Sequence, residues 1–137
     1  VELLQPTPDD TICDPACGTA GFLVASAEYI RSHYEDAMTN EQWEHFSGSM
    51  FTGFDTDRTM LRLSAMNLML HSITHPEIDY QDSVSKQNQI RDKYTICLAN
   101  PPFKGTIDAE SINDEFESCH QHEEDRSCCF WRCSCGC

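Results

Sequence analysis

The feature that most constrains this chain is the turn Asp14-Pro-Ala-Cys-Gly-Thr-Ala-Gly21, set between the short apolar run Thr11-Ile-Cys13 and the stretch Phe22-Leu-Val-Ala-Ser-Ala-Glu-Tyr-Ile30. Phe22, Leu23, Ser26, Tyr29 and Ile30 fall at helical spacing among good helix formers, so the segment predicts strand, glycine-bearing turn and helix. Gly18 and Gly21 let the backbone pass close to a ligand, and Asp14 at the strand end offers a carboxylate to a positive group. A dinucleotide site would want G-x-G-x-x-G with phosphate on the helix N-terminus. The order here, acid first and glycines later, suits a cationic amino-acid moiety better than a pyrophosphate. The alternative is that Gly18 does no more than make a tight turn.

The pattern then repeats. From Arg31 to Ser49 the chain is polar, a connecting loop or short helix with Trp43 and Phe46 as packing anchors. Met50-Phe-Thr-Gly-Phe54 predicts a second strand ending at Asp55, and Asp57 is placed to cap the following helix. In that helix Met60, Leu61, Ser64, Ala65, Leu68 and Met69 trace an apolar stripe. An acid at the end of the strand after a glycine-bearing turn can accept from both hydroxyls of a ribose, which is the role open to Asp55; helix capping is its other reading. A third strand is expected at Glu77-Ile-Asp-Tyr80, followed by Asp82, which can accept from an adenine amino group or simply start a turn.

A fourth apolar run, Tyr94-Thr-Ile-Cys-Leu-Ala99, delivers Asn100-Pro-Pro-Phe103. Asn100 and the carbonyl of Pro101 are two acceptors whose natural ligand is an amino group. Pro101 and Pro102 stiffen the turn, and Phe103 can lie against a flat ring. A proline-stiffened turn with Phe103 tucked into the core is the structural alternative. Strand and helix alternating in this way predict an α/β fold with a parallel sheet, whose right-handed crossovers gather Asp14, Gly18, Asp55, Asp82 and Asn100 on one edge.

At 137 residues the chain has room for one domain with a genuine core. No apolar run approaches ~20 residues and no basic-then-apolar start suggests a signal peptide, so a cytoplasmic location without membrane contact is expected. The formal charge of −14 is the wrong sign for a surface that must hold a polyanion by itself. Val1-Glu-Leu-Leu-Gln5 reads as the tail of a helix already under way, which makes a fragment the expectation.

With these residues in place the chain resembles the amino-group DNA methyltransferases, and most closely the modification subunit of type I restriction-modification systems. Asp14 to Leu23 looks like that family's cofactor loop, with Ala20 where glycine is more frequent. Phe54-Asp55 with Arg58, Leu61, Leu63 and Met66-Asn67-Leu68 is similar to its second strand and helix, and Asn100 to Phe103 to its catalytic motif. The resemblance implies an incomplete Rossmann-like sheet, the first four strands with their crossover helices, in a partial catalytic domain over residues 1–114. It implies S-adenosylmethionine as cofactor, bound by Thr19, Ala20, Gly21 and Asp55, with Asp14 and Gly18 shaping the amino-acid end and Asp82 the adenine end. Asn100 and Pro101 would hold the N6 amino group of a flipped adenine in DNA, in a turn completed by Pro102, and Phe103 would stack on its ring. The implied partners are DNA, a specificity subunit that reads sequence and a restriction subunit, with no metal. Cytosine-N4 or non-DNA amino groups are alternative acceptors, and a non-catalytic fragment is an alternative to any transferase.

After Asp114 the resemblance stops. Six of the nine cysteines crowd into the last nineteen residues, from Cys119 to Cys137. Structural zinc sites favour separated C-x₂₋₄-C pairs, which this compressed run lacks. A shifted reading frame through leucine-rich codons produces such cysteines, so residues 115–137 read as an aberrant tail, frame-shifted or disordered. A half-sheet with an unpaired edge predicts a chain that is inactive or poorly folded alone.

Overall fold

A computed structural model describes residues 1–82 and 93–100 in full, and residues 130–131 by their backbone. The elements follow in the order β1 (Ile12–Asp14), α1 (Gly21–Tyr34), a 3₁₀ turn (Glu35–Ala37), α2 (Asn40–Ser47), β2 (Phe51–Asp55), α3 (Arg58–Leu70), β3 (Glu77–Tyr80), β4 (Ile96–Leu98) and β5 (Phe130–Trp131). They build a sheet of order β3-β2-β1-β4-β5. The pairs β1·β2, β1·β4 and β2·β3 are all parallel, as the alternating pattern predicts. β5 runs antiparallel to β4, with Cys97 opposite Trp131 and Leu98 opposite Phe130. The sequence reading draws no strand in that tail; the division at 114/115 itself lies outside the described residues.

One sheet face makes the core. Ile12 pairs with both Phe51 and Ile96, so the three side chains share a face. Against them lie Leu23, Ala27 and Ile30 of α1, Phe46 of α2, Leu68 of α3, and the linker residues Met50 and Ile73, all buried. The Phe46 ring meets Phe51 edge-on at 5.3 Å and Trp43 at 5.5 Å, so the two aromatics expected to anchor the connecting segment do so, from a short helix. A reciprocal pair of hydrogen bonds between Thr39 and Gln42 starts that helix.

α3 begins where expected, with Asp57 Oδ1 accepting from the Thr59 and Met60 amides. Its buried stripe is narrower than the sequence suggests. Ser64 and Leu68 are fully buried, whereas Met69 is 54% exposed. Met69 sits one residue, about 100° of helix rotation, past Leu68, and the sheet reaches only one side of the helix. Val1 to Gln5 form a single turn closed by the Leu4 and Gln5 amides on the Val1 carbonyl, and Gln5 ends it at φ 48°.

Candidate functional site at the carboxyl edge

The parallel register sets the heights of the strand ends. Asp14 pairs with Gly53, so Asp55 reaches two residues further along its strand than Asp14 does. Cys13 pairs with Cys97, which puts Leu98 level with Asp14 and Asn100 two residues beyond it. β1 therefore ends level with β4, Asp14 beside Leu98, and short of β2, which runs on to Asp55. After β1 the chain turns away at Pro15 and leaves a notch flanked by Asp55 and Asn100 with Asp14 at its base. The strand order reverses at this same place, since the chain runs outward from β1 to β3 and resumes at β4 on the other side of β1. Ligands of open α/β sheets bind at such a switch point.

Asp14 is 1% exposed, and its Oδ1 accepts from the Ala16 amide at 3.1 Å. Burial pushes its carboxyl up to about 6; the Ala16 hydrogen bond opposes the rise and the nearby Asp55 charge adds to it. Asp55 is half-buried. Its Oδ2 accepts from the Gly18 amide at 2.9 Å and its Oδ1 from the Asp57 amide at 2.8 Å. Asp55 thus braces the turn into α3, close to its helix-capping alternative, and also holds the glycine loop, a task the sequence did not reveal; lone pairs remain on both oxygens for a ligand hydroxyl.

Three contacts fix the loop from outside its own βα unit. The Cys17 amide donates to the Phe54 carbonyl at 2.9 Å, the Gly18 amide to Asp55, and Asn67 Nδ2 on α3 donates to the Thr19 carbonyl at 2.9 Å. Gly18 stands at φ 53°, which favours glycine, and Ala20 at φ 62° and ψ 31°, which does not. A Cβ built on Gly18 or Gly21 would have no heavy atom within 4 Å, so open space faces both. The bare backbone, the two glycines and the buried carboxylate fit a ligand with a cationic end lying along the loop.

Gly53 and Cys17 escaped the sequence reading. A Cβ on Gly53 would lie 2.7 Å from Ile78 Cδ1 and 3.0 Å from Cys17 Sγ. The glycine is there so that the loop can settle on β2, and an isolated glycine inside a strand was the signal for such an approach. Burial holds the Cys17 thiol up at about 11, with the Asp14 and Asp55 charges adding to the effect. The thiols of Cys13 and Cys97 sit side by side in register; their hydrogen bond and burial push Cys13 far above the usual thiol range.

Of the residues singled out from the sequence, Asp14, Gly18, Thr19, Ala20, Gly21, Asp55, Asp82 and Asn100 all lie at or beyond the carboxyl ends of neighbouring strands. Asp82 is exposed, two residues past β3, where the Arg58 guanidinium lies 5.9 Å from the Tyr80 ring centre. Asn100 is exposed. Pro101, Pro102, Phe103 and the Cys- and His-bearing stretch weighed for zinc lie outside the described residues. Among the described residues no helix is long and apolar enough to cross a membrane.

Known proteins are similar to this chain in sequence and in fold. The Escherichia coli Type I restriction enzyme EcoEI methylase subunit is 28% identical over 126 residues, which are 90% of this chain and 25% of that protein. The EcoKI methylase subunit of Escherichia coli strain K12 is 30% identical over 75% of the chain and 21% of its own length. The crystal structure of the EcoKI M protein superposes with a TM-score of 0.69 at 28% identity, covering 77% of this chain and 24% of that one. A modification subunit of a putative type I restriction enzyme from Vibrio vulnificus YJ016 gives 0.63 at 33% identity, over 77% of this chain and 22% of its own. The chain thus spans about a quarter of the length of the curated relatives it matches. The model of the N-6 DNA Methylase family matches residues 1–132, past the point where the resemblance seen in the sequence stops, and with the strand order and the notch in place the chain belongs to that family.

Proposed function

We propose that this chain is the cofactor-binding part of an N6-adenine DNA methyltransferase, from the modification subunit of a type I restriction-modification system. The supporting observation is the notch at the carboxyl edge, where the buried Asp14, the half-buried Asp55 and the exposed Asn100 border the glycine loop. In this reading residues 1–114 are a partial catalytic domain, and the chain works in the cytoplasm with DNA, a specificity subunit and a restriction subunit. The net charge of −14 supports that division of labour, because an acidic chain leaves most phosphate contacts to its partners.

S-adenosylmethionine, when bound, supplies a methyl group on a sulfonium, a carbon already activated toward displacement. Asp14 and the loop from Gly18 to Gly21 receive its charged amino-acid end, Asp55 accepts from the ribose hydroxyls, and Asp82 accepts at the adenine end. Asn100 and the Pro101 carbonyl accept from the two N–H bonds of the target amine, with Pro102 fixing the turn and Phe103 against the base. An exocyclic amine is a poor nucleophile because its lone pair is delocalised into the ring. Two acceptors favour a pyramidal nitrogen with the lone pair freed for in-line attack, and most of the rate comes from that alignment. Asn100 and the Pro101 carbonyl would hold the amine in line with the donor's methyl carbon, and the proton that the nitrogen gives up would pass to water.

The test pairs a titration with S-adenosylmethionine and transfer of labelled methyl to adenine-containing duplex DNA with a specificity subunit added. Binding and adenine labelling are expected, with labelling lost in Asn100→Ala and binding kept. Label on cytosine would reassign the acceptor. Binding without transfer would favour a non-catalytic fragment, a reading supported by the quarter-length match to the relatives.

A further inference from the structure

Asn67 has no part in that reading, yet it reaches the loop from a separate element. It lies half-buried on α3, between the fully buried Ser64 and Leu68, and its Nδ2 donates to the Thr19 carbonyl at 2.9 Å. Asparagine is a weak helix former, so its presence mid-helix at a half-buried position calls for a partner. The partner is informative. The Thr19 carbonyl belongs to the peptide that joins Thr19 to Ala20, and the N–H of that same peptide donates to the Cys17 carbonyl at 2.7 Å. Both polar atoms of one peptide are therefore held, one from within the loop and one from α3. The next residue is Ala20, left-handed at φ 62° although it carries a side chain. Its carbonyl accepts from the Val24 amide at 2.9 Å, opening α1.

A left-handed alanine is a conformation that a free loop leaves readily. Rotation of the Thr19–Ala20 peptide would release it, and that rotation has to break the bond to Asn67. We propose that Asn67 is a positioning residue for the donor-binding loop: its carboxamide clamps the Thr19–Ala20 peptide so that the loop keeps the one shape in which Ala20 is buried and Gly18 and Gly21 face open space. This rests on the reading of that loop as the cofactor loop. Asn67 touches no ligand in this account and acts only through the peptide it holds. The other outside contacts, from the Phe54 carbonyl and Asp55, grip the loop earlier, at Cys17 and Gly18, and make no bond to this peptide.

The test uses the full 137-residue chain as parent, Asn67→Asp and Asn67→Ala. Aspartate keeps the shape but sets an acceptor against a carbonyl; alanine removes the group. Three quantities are read: amide hydrogen exchange at Ala20, affinity for S-adenosylhomocysteine, and the melting temperature without ligand. Exchange at Ala20 is expected to quicken about tenfold and affinity to weaken about tenfold, the upper range for one lost hydrogen bond. In an Ala20→Gly background the loss of affinity should shrink, since glycine holds a left-handed turn unaided. Unchanged exchange and affinity in both variants would overturn the proposal. So would an equal loss with alanine or glycine at 20, or a lowered melting temperature with affinity intact, which are the marks of simple helix docking. If the parent takes up no S-adenosylhomocysteine while Ala20 exchange still rises in the variants, the cofactor reading falls and the clamp is supported.

Discussion

The Gly18 amide donates to Asp55 Oδ2 at 2.9 Å, so the loop that leaves the first strand is fastened by the last residue of the second. The other carboxylate oxygen takes the Asp57 amide at 2.8 Å. Asp55→Ala removes both acceptors together. It is expected to cost about 2 kcal/mol of stability, the range for hydrogen bonds to a charged group on a partly exposed site, and to weaken cofactor affinity by more than tenfold. Denaturant melts and calorimetric titration check the two effects separately. A drop in stability with affinity intact would show that Asp55 only braces the backbone.

Asp14 makes stability depend on pH in a defined window. Its carboxyl has the ordinary value of 3.8 in the unfolded chain and about 6 in the folded one. Between these values the folded state holds the extra proton, so this residue's contribution falls as pH rises through the window and levels off above it. The rise corresponds to about 3 kcal/mol at most. Asp14→Asn should remove that slope and raise stability by about 1 to 3 kcal/mol near pH 8, while weakening the binding of a cationic ligand. Urea melts of parent and variant at about pH 4 and about pH 8 test it; identical slopes in both would refute the assignment.

Two glycines are expected to fail for different reasons. At Gly18 a methyl group has open space but the backbone sits at φ 53°, so Gly18→Ala should cost about 1 kcal/mol through conformation. At Gly53 the methyl group would meet Ile78 and Cys17, so Gly53→Ala should cost about 1 to 3 kcal/mol through overpacking. Truncating the neighbours separates the two. Ile78→Val with Cys17→Ala should recover part of the Gly53→Ala loss and none of the Gly18→Ala loss in the same thermal melts.

Ala20→Gly is expected to be nearly neutral in stability, within about 0.5 kcal/mol. Glycine is at ease in the left-handed region, but it gives up a fully buried methyl group and starts from a looser unfolded chain. A loss of about 2 kcal/mol, beyond that balance, would mean that the methyl group of Ala20 packs far better than its small area suggests. Differential scanning calorimetry is sufficient.

The order of elements was legible because each rested on local signals. Asp57 caps α3 because a short acid before an apolar stripe does so in any context, and Glu77 to Tyr80 pair as a strand with the predicted bounds. The carboxyl edge was legible for a related reason: parallel strands bring their ends together wherever those ends fall in the chain. What stayed hidden was tertiary. Gly53 is glycine because of Cys17 and Ile78, and Asn67 is polar because of the Thr19 carbonyl, partners that no spacing within their own segments announces. Met69 falls on the apolar stripe yet is exposed, because periodicity reports a direction and not how far the neighbouring sheet extends.

The glycine loop draws its external support from β2 and α3, elements translated after it. A nascent chain that has emerged only as far as α1 carries the loop's sequence without its shape. Donor affinity should therefore arise late in folding, when the second strand and helix dock on the first. Binding would then report on the assembly of two consecutive units and not on the motif alone.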